Sequence, residues 1–241
     1  MQRRDALKQL GMGAAGVGLG VAAASQVDAQ DHGHAESKMP PVEHINLYFC
    51  GFHMAKSNPK FQLETQHYCC AHGDEMHQCV LYDKSTPDAK LLGVEYIITD
   101  KMYRELPEEE KKYWHPHTYE VLGGGLIAPH MSQEEEDAFM KALLPTWGKA
   151  WHVWPDPTTK VPMGDPLLMW SLMGDGQANE EMEAARDKQF GVDSQEIAER
   201  RQKLFDLPKP DVPLPTNMDF IGRQWTAEGP DTAAARKKEL G

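Results

Sequence analysis

The stretch Trp114–Val121, WHPHTYEV, sets two histidines two residues apart and a glutamate three residues further on. Read as a strand, it sends His115 and His117 to one face, because side chains alternate along an extended chain. Two imidazoles projecting in parallel make half of a metal site, a pair for proton transfer, or two polar side chains on a wet sheet. A transition-metal centre needs three or four such donors converging on one point. The chain has 11 histidines among its 241 residues. His53, His67, His72, His77, His115 and His117 fall in or beside strand-like segments. Parity sorts them. Ile45, Leu47, Phe49 and His53 share one face, as do Leu63, His67 and Cys69, so His53 and His67 belong to the apolar side. A histidine buried there must be hydrogen-bonded or ligated to offset its desolvation. His53, His67, His115 and His117 are the metal-ligand candidates. Glu120 is a fifth that strand parity places on the opposite face unless a bulge turns it. Zinc, copper and iron are the ions such a donor set suits.

The same residues support acid–base chemistry without metal, with Glu64, His67 and Glu95 as the group. Glu95 interrupts the apolar run LLGVEYIIT, and an inward carboxylate in that setting needs a partner or a raised pKa. Gln62, Glu64 and Gln66 lie on the other parity of their strand and read as solvated or as lining a polar cleft. Other chemistries are absent from the sequence. No nucleophile elbow, zincin helix, dinucleotide fingerprint or kinase signature occurs, and the Gly123-Gly124-Gly125 triplet is not followed by the Gly-Lys-Ser/Thr of a phosphate loop. A cupin-type site would need a second histidine motif downstream, where only His130 and His152 remain. The methionines of PMGDPLLMWSLMGDG could serve as soft copper ligands, but reading them as core packing is simpler.

These residues must be held by a sheet. HINLYFCGFHMA, FQLETQHYCCAH, MHQCVLYD and KLLGVEYIIT follow one another at short intervals with turn residues between them, which predicts an antiparallel meander. A helix follows Asp100, with Pro107 opening a second segment. HTYEVLGGGLIAPH reads as a long strand or hairpin bent at its glycines. Ser132 and the glutamates behind it start a helix that Gly148 would end, and WHVWP is one more strand. NEEMEAARDKQFGVDSQEIAERRQKLFD gives one or two surface helices broken at Gly191. The expected fold is α+β: an antiparallel β-sheet of about 5–7 strands with helices packed on one face and a C-terminal helical arm. Residues 44–206 would form one domain, preceded by a flexible leader over 30–43 and followed by a proline-rich tail over 207–241.

Residues 1–29 read as an export signal. Arg3-Arg4 precede a short Gly/Ala/Val-rich stretch and a small-residue cleavage site, a pattern that resembles a twin-arginine leader and makes the export machinery a partner. The apolar run is too short to span a bilayer, and no later one is long enough. A periplasmic or secreted protein is expected. The net charge of −12 excludes binding of nucleic acid, or of an anionic membrane, through the overall field. Four cysteines, Cys50, Cys69, Cys70 and Cys79, would meet an oxidising compartment, with three possible pairings if all are bridged.

FCGFH, ETQHYC, QCVLYD, LLGVEYII, LPEEEKKYWHPHTYEV and WGKAWHVW, in this order over roughly residues 44–180, resemble the oil-body-associated protein family, whose shared domain has no assigned function. The resemblance places His53, Glu64, His67, Cys69, Cys79, Glu95, His115, His117 and Glu120 in the family's motif segments and gives none of them a role. The plant pattern differs at Pro116 and at Gln66, where it carries a further histidine, so position 66 offers no ligand here. The reading that joins residues and resemblance is an exported protein with a small-ligand or metal site in a histidine-rich sheet. A metal-dependent hydrolase or oxidoreductase, and a lipid- or envelope-associated structural protein, are the alternatives.

Overall fold

The computed structural model describes residues 40–209, together with two short paired strands, β8 (Trp225–Thr226) and β9 (Gly229–Pro230). Of the predicted tail, 207–241, most therefore lies outside the described residues, as do the export signal and nearly all of the leader. After a 3-10 turn at Val42–His44, four strands run as a meander: β1 (Leu47–Ala55), β2 (Asn58–Ala71), β3 (Met76–Tyr82) and β4 (Leu91–Thr99). Each pairs antiparallel with the next. All four segments are rich in aromatic and β-branched residues, and turn residues stop them.

The sheet then closes. Strand β6 (Thr146–His152) pairs along its whole length with β4, and β7 (Leu167–Ser171) pairs with both β6 and β1. The circuit β1-β2-β3-β4-β6-β7-β1 is a six-stranded antiparallel barrel. A two-residue strand, β5 (His115–Pro116), adds to β6 beside Trp147 and Gly148, past the end of its pairing with β7. Closure leaves the barrel no free edges. Inward side chains of every strand fill it: Phe49, Leu81, Ile97, Ala150, Leu167 and Met169 are all buried. Met169 and Met173 are core residues, as the packing reading has it, whereas Met163 is exposed. Cys69 and Cys79, direct partners across β2 and β3, form a disulfide, while Cys50 and Cys70 are free and buried.

The helices sit at the connections. α1 (Asp100–Glu105) is capped by Thr99, and Pro107 opens α2 (Glu108–Lys111). The stretch expected to continue as a strand after Pro116 instead forms α3 (Thr118–Leu122), because His117 already adopts helical dihedrals at its N-cap. α4 (Gln133–Leu143) carries the expected capping box between Ser132 and Glu135. It stops at Leu143, and Gly148 lies within β6 rather than at a helix end. The arm is two helices, α5 (Glu180–Phe190) and α6 (Ser194–Leu204), broken at Gly191 in the left-handed region. Two fully buried arginines tie it to the loop after α3. Arg186 donates to Gly125 O at 2.8 Å and to Ser194 Oγ at 2.7 Å. Arg201 donates to Val121 O at 3.0 Å and to Leu126 O at 2.8 Å. Gly124 has φ +76, and a Cβ on it would strike the Ser194 carbonyl, so a glycine is required at this junction.

Candidate metal centre

The register of the barrel brings one carboxylate and several imidazoles to one place. Glu95 points inward from β4, in the row that runs through Cys79 on β3 and Ala150 on β6. His53 and His67 point inward from β1 and β2, as their parity required. His115 enters from β5 and His117 from the cap of α3. All five are essentially inaccessible to solvent. Glu95 Oε2 lies 2.9 Å from His67 Nε2 and 3.6 Å from His53 Nε2. Its Oε1 lies 3.3 Å from His115 Nε2 and 3.5 Å from His117 Nε2. The donors form two triads, His53–His67–Glu95 and Glu95–His115–His117, each with its ligand atoms within 4.8 Å of one another.

The hydrogen bonds of the outer nitrogens fix the tautomers. Thr146 Oγ1 donates its only proton to Leu143 O at 2.6 Å, so its 2.7 Å contact with His117 Nδ1 makes that nitrogen the donor. His67 Nδ1, 3.1 Å from Thr65 O, can only donate to that carbonyl. In their neutral forms, His67 and His117 would therefore turn bare Nε2 lone pairs toward Glu95. Lone pairs set against carboxylate oxygens repel unless a proton or a cation stands between them. One added proton would repair one such contact, whereas a cation repairs all of them together. His115 sharpens the point. Among the described residues neither of its ring nitrogens has a hydrogen-bond partner, and at 3.3 Å its Nε2 is not aligned to bond Glu95. Burying an unsatisfied polar group costs about 1–3 kcal/mol.

Charge follows the same geometry. Burial alone would raise the Glu95 carboxyl, but a proton shared with it by the surrounding imidazoles of His115, His117, His53 and His67 outweighs burial and holds the group well below the usual carboxylate range. Burial pushes His115 down to about 4 and lowers His53, so both are neutral, ligand-competent imidazoles at pH 7. Glu120 behaves oppositely: burial, then the neighbouring charge of Glu95, raises it well above the ordinary value.

Two residues complete the site that sequence reasoning missed. A Cβ built on Gly148 would fall 2.7 Å from both His115 Nε2 and His117 Nε2, and nearer still to Glu95 Oε1. These donors thus converge on the space beside a residue with no side chain, with both nitrogens 2.7 Å from that point, somewhat beyond the ~2.0–2.1 Å at which nitrogen stands from zinc. His152, inward on β6, places Nε2 3.0 Å from His53 Nδ1 and orients that ring from behind. Its alternation with Gly148 and Ala150 on one strand face was the available signal. Glu120 does reach the cluster, with Oε1 3.8 Å from His117 Nε2, because a helix rather than a strand carries it and residues i and i+3 of a helix share a face. Glu64 does not. It lies on the opposite face of β2, bonded to Gln66 and Cys50, so the trio of Glu64, His67 and Glu95 is split across the barrel wall. Gln66, expected to be solvated or in a polar cleft, is fully buried and holds Tyr48 and Glu64.

Fold and site define a small closed antiparallel barrel with a carboxylate–imidazole cluster inside its wall. Residues 39–205 match the model of DUF1264, a protein family of unknown function, and the chain belongs to that family. Its relatives include oil body-associated protein 1B of Arabidopsis thaliana, 36% identical over 66% of this chain and 66% of the relative. Oil body-associated protein 2A of Zea mays is 32% identical over 77% of this chain and 74% of its own length. Oil body-associated protein 1A of Zea mays is 33% identical over 67% and 68%. No solved structure matches the chain.

Proposed function

We propose that this protein binds a divalent transition-metal ion inside the barrel, through Glu95, His115 and His117, with His53 and His67 on the other oxygen of the same carboxylate. The observation that carries the reading is the convergence of buried imidazole nitrogens on one buried carboxylate, with the outer nitrogens of His67 and His117 held by hydrogen bonds and the space beside Gly148 left open to Glu95, His115 and His117. The donor set suits zinc, iron or copper. Hydrolase or oxidoreductase chemistry would then run at this ion, with Glu95 as a ligand rather than a base. The twin-arginine-like leader fits such a role, since that route would deliver the folded protein to the periplasm or beyond with its ion in place. The Cys69–Cys79 disulfide agrees with an oxidising destination. The test is the metal content of untagged protein by plasma mass spectrometry, wild type beside a His115→Ala/His117→Ala double variant. Near-stoichiometric metal in wild type and its loss in the variant are expected. Wild-type protein that carries no metal and takes up neither zinc nor cobalt on titration would end the reading.

A second reading, association with a lipid surface, draws on the relatives' printed name and on the outer face of β4. Val94 and Tyr96 are exposed there, beside an apolar groove that Val42, Tyr68 and Val80 also line. Co-flotation with zwitterionic liposomes, abolished in Val94→Lys/Tyr96→Lys, would favour it. Protein left at the bottom of the gradient would count against it.

A further inference from the structure

We infer that the centre holds two ions, not one, with Glu95 bridging them. The inference rests on the metal reading above and extends it to a second site at His53 and His67. The two oxygens of Glu95 serve different histidines: the contacts of His115 and His117 are with Oε1, and those of His53 and His67 with Oε2. A single ion bound by all five groups would need every donor about 2.1 Å from one point, hence no two donors more than about 4.2 Å apart. The donors instead fall into two clusters, each with its ligand atoms within 4.8 Å of one another, that share only Glu95. Within the second cluster, His53 Nε2 and His67 Nε2 are 3.2 Å apart, a normal separation for two ligands of one ion.

Each side is also supported separately. His67 is held by Thr65 O and His53 by His152 Nε2, while His117 is held by Thr146 on another strand. Outer partners of this kind fix ligand orientation, and the second cluster has its own pair. Each lobe is then two imidazoles and one carboxylate oxygen, with remaining positions for solvent, and a bridging carboxylate sets two ions about 3.5–4 Å apart. Glu120, 3.8 Å from His117 Nε2, is a second carboxylate within reach of the added positive charge, and a solvent-derived hydroxide between the ions would offset more.

The test is titration of the chelator-stripped, untagged full chain with Co(II), followed by visible absorption and by electron paramagnetic resonance. Two equivalents bound per chain, with the second attenuating the signal of the first through spin coupling, are expected. His53→Gln/His67→Gln should keep one equivalent with an uncoupled signal. Wild type saturating at one equivalent would overturn the second site and leave the metal reading standing. No uptake at all would remove both. Because the wild-type stoichiometry decides the matter alone, a variant that fails to fold does not blunt the result.

Discussion

Gly148 is where a single methyl group tests the site. Its absent side chain leaves the converging faces of Glu95, His115 and His117 unobstructed, and the strand's ordinary geometry needs nothing else from it. Gly148→Ala should therefore abolish metal uptake at this triad and cost about 1–3 kcal/mol from overpacking, although alanine is the better strand residue. Metal content and urea unfolding midpoints of the folded variant would check this. An alanine variant that retains full metal would mean that no ion lies at that point. His53 and His67 were readable because strand parity is strict and placed them on the apolar face of their segments, whereas Glu95 stood out only as a lone carboxylate in an apolar strand and was read as an acid–base group rather than a ligand. Gly148 and His152 were not, since LLPTWGKA was read as a helix ending in glycine, and inward alternation has no meaning in that frame. Glu120 was misplaced for the converse reason. A strand was assumed past Pro116, where the backbone at His117 had already turned helical.

Among the elements, the C-terminal arm matters most to the site although it contributes no ligand. Arg201 donates to carbonyls at both ends of the segment between Val121 and Leu126 and lies 3.3 Å from Glu136, on α4. That segment follows directly from α3, which carries Glu120 and is capped by His117. Burial lowers the Arg201 pKa only partly, since Glu136 acts against it, and removing one partner of a buried pair costs about 3–5 kcal/mol. Arg201→Met should destabilise the protein by roughly 3 kcal/mol and weaken metal binding by loosening α3. Urea denaturation paired with a zinc competition titration would read both. Stability lost without any change in affinity would show that the arm acts on the fold alone. The helices of this arm and the break at Gly191 were legible from caps and periodicity. The buried role of its arginines was not, because Arg186 and Arg201 sit in segments so charged that they read as surface.

At the scale of the whole molecule, the sequence pattern predicted an antiparallel sheet but not its closure. The hairpins of β1 to β4 are local and follow from the turns between them. Closure depends on β4 meeting β6 and β1 meeting β7, contacts between distant segments that no local signal announces. Closure is also what makes the site, because His53 and Glu95 come from separate strands of the finished barrel and His115 from β5, the short strand added to β6. The unfolded chain can present no such set of donors, so metal binding must stabilise the folded state by linkage. At a free ion concentration 100 times the dissociation constant, the gain is about 2.7 kcal/mol. For a domain of this size that corresponds to a rise of roughly 5–10 °C in Tm. Differential scanning calorimetry of chelator-stripped protein, with and without zinc, should show this rise, and His115→Ala/His117→Ala should reduce it sharply. A wild-type Tm indifferent to every added divalent ion would mean that the imidazoles satisfy Glu95 by themselves, as a buried proton-sharing network that holds the barrel wall together.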